Sequence, residues 1–171
     1  MTKPKHGIPK RYWDACVFLD FIKGSDRDGA GTLRTLGQHA KEGKLLLITS
    51  TMTLAEVVRP KRCDGSILDK ADREKIKGAF NSPAIALVDV TQVITERARE
   101  IQWDVPGIKP IDAIHLATAE QSGADYFDTF DANSITNPLT NATNFSFNSA
   151  LRVGAPAVDQ TEIDFKGGKD D

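Results

Sequence analysis

Ile111–Asp131, IDAIHLATAEQSGADYFDTFD, reads as a helix, a glycine stop and a strand that runs into acids. Pro110 stands just before it, and proline, with no N–H to lose and a preset φ, suits the first turn of a helix. Ile111, Ile114, Ala117 and Thr118 recur at helical spacing, which predicts one buried stripe with His115 at its border. Gly123 ends the helix, and Ala124–Thr129 follows at once as a strand. Asp112 falls in the first turn, where exposed backbone N–H groups favour negative charge. Alone, it is explained by the helix dipole.

Upstream, the same alternation repeats. Tyr12–Ala15 is a short strand with Asp14 near its end, and Val17, Phe18, Phe21 and Ile22 form a helical stripe that stops at Gly24. Leu33, Leu36 and Ala40 mark a second helix closed by Gly43. Lys44–Thr49 carries LLLIT, a continuous apolar run of the kind a parallel sheet buries on both faces. Ala84–Val90, AIALVDV, is a second such run, and Thr91 can cap a helix with Ile94, Ala98 and Ile101 on its apolar side. Leu151–Val153 is the last candidate strand. Strands alternating with helices predict an α/β fold: a mainly parallel sheet with helices on both faces. Ligand sites in such sheets lie at the carboxyl ends of the strands.

The composition suits one domain. The chain has 171 residues, 40% of them apolar and 27% charged, with a net charge of −2. We expect a single domain over 1–171 with its core at about 11–155, flanked by a loose N-terminal arm and a tail. The small negative charge excludes a surface coated in basic residues but not a local basic patch. No apolar run approaches the ~20 residues of a membrane helix, so no membrane partner is expected. The opening MTKPKHGIPKRYW is basic without an apolar segment, unlike a secretory signal. Cys16 and Cys63 lack a CxxC pattern, and their use fits a reducing cytoplasm.

The candidate chemistry lies in the acids. Asp14 and the Asp128–Asp131 segment lie at strand ends, and Glu56 follows the LLLIT strand by less than two helical turns. Glu56 also has a local reading: Thr53-Leu-Ala-Glu56 is a capping-box pattern, as is Ser66-Ile-Leu-Asp69. If Asp14, Glu56, Asp112 and Asp131 converge, they cannot all stay ionised without compensation. A divalent cation supplies it. Hard oxygen donors without a Cys or His cluster suit Mg²⁺ or Mn²⁺, whose natural chemistry is phosphodiester hydrolysis. Arg59, Lys61 and Arg62 follow Glu56 and are the candidate phosphate contacts.

At these residues the sequence resembles the PIN-domain family of metal-dependent nucleases, and within it the VapC-like toxin branch. The matching pieces are YWDACVFLDF, TLAEVV and IDAIHLATAEQSGADYFDTFD, in that order, within Tyr12–Asp131. The resemblance implies a three-layer α/β/α fold, Mg²⁺ or Mn²⁺, and endonucleolytic cleavage of RNA. It maps the catalytic and metal-binding acids onto Asp14, Glu56, Asp112 and Asp131, and a supporting hydroxyl onto Thr129. In that branch a cognate antitoxin would be the partner; the sequence leaves both the antitoxin and a homodimer open. Two departures stand out. Cys16 replaces the Ser or Thr that often lies two residues after the first acid. Asp128 replaces a hydrophobic strand residue, so we expect it beside the cluster as a helper acceptor.

Three other readings compete. A non-catalytic nucleic-acid- or protein-binding module on the same fold is one. A phosphoacceptor receiver domain would need an acidic pair after the first strand, which Asp14-Ala-Cys-Val does not supply. A cysteine hydrolase using Cys16 with His39 or His115 has no local motif to support it.

Overall fold

The structure is a computed structural model that describes residues 7–24, 31–58 and 69–158. Its elements run β1 (Lys10–Trp13), α1 (Ala15–Lys23), α2 (Thr32–Lys41), β2 (Leu46–Ser50), α3 (Thr51–Glu56), α4 (Lys70–Phe80) and β3 (Ile85–Val88). There follow α5 (Gln92–Asp104), α6 (Pro110–Gln121), β4 (Tyr126–Asp128), a π-helical turn (Ala132–Thr136), α7 (Asn137–Asn141) and β5 (Arg152–Gly154). The five strands form one sheet in the order β3-β2-β1-β4-β5, and every neighbouring pair is parallel. All five strands expected from the alternation are present.

Side chains that alternate along the strands feed two cores, one on each face of the sheet. Tyr12, Ile48 and Phe127 point to one face and pack with Ile94, Ala98 and Ile101 of α5 and Ala113, Leu116 and Ala117 of α6. Trp13 and Leu47 point to the other and meet Val17, Phe18 and Ile22 of α1, Leu33, Leu36 and Ala40 of α2 and Phe80 of α4. The molecule is therefore a three-layer α/β/α sandwich. At Gly37 a Cβ atom would stand 2.8 Å from the Phe21 ring, so a side chain there would require that ring to shift.

Local signals placed most boundaries. Gly24 closes α1 in the left-handed conformation, and Thr91 caps α5 through the Ile94 amide. Three expectations need correction. The stripe assigned to α6 is too narrow: Ala113, His115, Leu116, Ala117, Thr118, Ala119 and Glu120 are all buried, while Ile111 is exposed. The helix is enclosed by the sheet, by α5 and by the segment near Asn148, which Glu120 and Arg97 hold. β3 is not buried on both faces, because it is an edge strand, and Leu87 is 41% exposed. Asp69, not Ser66, caps α4, with its side chain accepting from the Asp72 amide; Ser66, most of the N-terminal arm and the end of the tail lie outside the described residues. No helix among the described residues is long and apolar enough to cross a membrane.

Candidate functional site

The strand order places the site. The chain steps from β1 outward through β2 to β3, then returns to add β4 on the other side of β1. A crevice opens where the order reverses, at the carboxyl ends of β1 and β4. Asp14 directly follows β1, and Asp131 lies just past β4. The sense of α6 brings in a third acid. Its C-terminal end meets the start of β1, where Lys10 Nζ donates to the Ser122 carbonyl at 3.5 Å. Its N-terminal end, with Asp112, therefore lies at the carboxyl edge of the sheet. α3 continues from β2 and ends at Glu56. Asp14, Glu56, Asp112 and Asp131 all line one pocket of about 240 Å³, with His115, Cys16, Ala15, Leu19 and Ile135 completing the wall.

Each acid is held differently. Asp14 caps α1: its Oδ1 accepts from the Val17 amide at 3.0 Å and from the Cys16 thiol at 2.8 Å. Burial pushes its carboxyl up, and hydrogen bonds from Cys16, Thr129 and Val17 oppose that. Burial and the charge of Asp14 push the Cys16 thiol up to about 12. It therefore stays protonated and serves as a donor. The thiol fills the role of the hydroxyl that often stands there, and its sulfur also accepts from the Phe130 amide at 3.3 Å.

Thr129 joins two of the acids. Its hydroxyl lowers the carboxyl of Asp14 and accepts the Asp131 amide at 3.0 Å. Asp131 in turn caps the π-helical turn, accepting from the Ser134 amide at 2.9 Å. Asp112 is the least satisfied. Burial, and then the neighbouring Asp131, raise its carboxyl to about 6, and its buried Oδ2 has no hydrogen-bond partner among the described residues.

Glu56 does not take part in a capping box. Ser50 caps α3, its hydroxyl accepting from the Met52 amide, so Thr53 lies inside the helix and Glu56 is its last residue. The Thr49 hydroxyl donates to the Trp13 carbonyl, which leaves the Thr53 hydroxyl to donate to Thr49 at 2.7 Å. Glu56 instead meets His115, its Oε2 lying 2.6 Å from Nε2.

Asp128 is not among the residues that line the pocket. Its carboxylate accepts from Arg11 Nε and Nη2, both at 2.8 Å, and from Trp13 Nε1 at 2.9 Å. Arg59, Lys61 and Arg62 lie outside the described residues. The importance of His115 and Tyr12 was missed from sequence. A buried His on the same face as an acid three residues earlier was the available signal.

The donor set has the chemistry of a hard-cation site. It offers carboxylate oxygens, among them a buried, unpartnered Asp112 oxygen that a positive charge would satisfy. Asp14, Glu56, Asp112 and Asp131 are the side chains that would hold such an ion. Among the described residues, no three His, Cys, Asp or Glu side chains form a ready-made group of metal ligands, so binding requires the carboxylates to draw together.

A sequence model of the PIN domain matches residues 11–136. The chain belongs to the PIN-domain family. The match spans β1 through the π-helical turn and thus every pocket-lining acid. No curated protein matches the chain significantly in sequence. Among solved structures, this PIN-domain chain resembles a toxin–antitoxin complex from Klebsiella pneumoniae, at 18% identity and a TM-score of 0.53 over 86% of this chain and 98% of that one. It resembles Mycobacterium tuberculosis VapC20, described as a sarcin–ricin-loop-cleaving toxin, at 18% identity and 0.53 over 74% and 94%. It also resembles VapBC2 from Rickettsia felis, bound to a DNA fragment from their promoter, at 14% identity and 0.58 over 85% and 98%. At such identities the likeness is one of fold.

Proposed function

We propose that this PIN-domain chain is a Mg²⁺- or Mn²⁺-dependent endoribonuclease and the toxin of a toxin–antitoxin pair. The observation that carries the reading is the convergence of Asp14, Glu56, Asp112 and Asp131 on one pocket, with Asp112 short of a partner. These acids come from separate stretches of the chain, and a packed domain has no structural need to crowd like charges there. A divalent cation bound among them would lower the pKa of an attacking water and offset charge on the phosphoryl group.

The chain's own residues supply the rest. Cys16 and Thr129 fix the Asp14 carboxylate, the π-helical turn fixes Asp131, and Leu19 and Ile135 give the pocket an apolar wall. Arg59, Lys61 and Arg62 bind the RNA backbone. The likeness to toxin–antitoxin structures supports an antitoxin protein as the partner.

A second reading is a binding module that uses the fold without catalysis. Incubating purified chain with RNA separates the two. Cleavage that needs Mg²⁺ or Mn²⁺ and stops in EDTA supports the nuclease. RNA or protein binding with no metal-dependent cleavage supports the module.

A further inference from the structure

His115 is 2% exposed, and both of its ring nitrogens are engaged. Nε2 lies 2.6 Å from Glu56 Oε2, and Nδ1 lies 2.7 Å from the Tyr12 hydroxyl. An ionised carboxylate only accepts, so Nε2 must carry a proton. With Nε2 as the donor to Glu56, the Tyr12 hydroxyl is placed to donate to Nδ1. The Tyr12 oxygen accepts in turn from the Ser50 amide at 3.1 Å. Burial holds the Tyr12 phenol well above the ordinary tyrosine value, so that proton stays in place. The result is one directed chain: Ser50 N–H to Tyr12, Tyr12 O–H to His115 Nδ1, and His115 Nε2–H to Glu56.

This chain grips both ends of α3. Ser50 is the cap of that helix and Glu56 its last residue. α3 has only six residues, of which Thr53 alone is buried, and so short a helix does not hold its own position. His115 lies on α6 three residues after Asp112, and both line the pocket. One face of α6 thus delivers its own acid and fixes another from across the sheet.

We propose that His115, held as its Nε2–H tautomer by Tyr12, is a positioning residue that aims Glu56 into the acidic pocket and thereby raises its affinity for a divalent cation. The proposal rests on the metal-site reading above. His115 is not itself a ligand, because Nε2 is spent on Glu56 and Nδ1 on Tyr12.

Nitrogen NMR of the imidazole in metal-free wild-type protein tests the tautomer without any variant. The Nε2–H form is expected, and an Nδ1–H form overturns the proposal. Titration with Mn²⁺ tests the consequence. His115→Ala should lose roughly 10–100-fold in affinity, the usual cost of removing a group that orients a ligand. His115→Gln, which still offers an N–H toward Glu56, should recover most of it. An affinity in His115→Ala equal to wild type overturns the positioning role. Equal losses in both variants assign the effect to the ring and also overturn it. Failure of the wild-type protein itself to bind Mn²⁺ sinks the metal-site reading beneath the proposal, an outcome distinct from the others. If His115→Ala does not fold, the wild-type NMR result decides.

Discussion

Arg11 and Asp128 form a bidentate ion pair across β1 and β4, with both N···O distances at 2.8 Å and both side chains buried. Asp131, only three residues further on, lines the pocket instead. The two neighbouring acids therefore answer to different assays. Asp128→Asn leaves the Arg11 charge buried without its full counter-charge, and breaking such a pair costs roughly 3–5 kcal/mol. We expect a large fall in thermal stability from Asp128→Asn, with metal affinity kept in the folded fraction. Asp131→Asn should do the opposite, since an amide oxygen still accepts the Ser134 N–H but offers the cation no charge. Thermal melts and Mn²⁺ titrations on the two variants decide between this division and one in which Asp128 serves the site.

Glu56→Gln removes a charge and keeps the shape. Because Ser50 and not Thr53 caps α3, no cap is lost, and the melting temperature should stay near wild type. Cleavage should fall by more than the roughly 10–100-fold typical of residues that only orient a ligand. Full activity would remove Glu56 from the site.

Asp112 makes the metal-free protein sensitive to pH. Its folded carboxyl sits at about 6, above the ordinary 3.8, so the folded state holds that proton more tightly than the unfolded chain does. The stability this contributes is complete below about 4 and is lost as pH rises through about 6. In EDTA at pH 8, Asp112→Asn should therefore melt higher than wild type, and the gap should close toward pH 4. Equal melting temperatures at both pH values would show that Asp112 is not under electrostatic pressure.

The basic run after Glu56 is tested by salt. Replacing Arg59, Lys61 and Arg62 with Ala should weaken RNA binding and flatten its dependence on ionic strength, because fewer counterions are released. An unchanged slope would move the RNA surface elsewhere.

Much of this was legible along the chain, and the exceptions share a cause. LLLIT, the apolar run in Lys44–Thr49, and the helix stop at Gly123 are local signals, and they led to a parallel sheet that the structure has. The convergence of the acids followed from that topology once α6 was known to run against the strands. The capping box expected at TLAE is absent because Ser50, three residues earlier, had already started the helix, while Glu56 itself lines the pocket. The partner of Asp128, Arg11, lies 117 residues away, a pairing that only strand register creates. His115 was placed at a border because a single stripe assumes one buried face, whereas α6 is covered nearly all round. Side-chain pairings over long separations are the part a linear reading does not reach.

The central claim is that Asp14, Glu56, Asp112 and Asp131 form a divalent-cation site, and Mn²⁺ titration of wild-type protein beside Asp112→Asn tests it most directly. Wild-type protein should show saturable binding that strengthens as pH rises through about 6, where the cation displaces the Asp112 proton, and the amide variant a marked loss. Absence of Mn²⁺ binding by wild type, or equal affinity in both proteins, would contradict it.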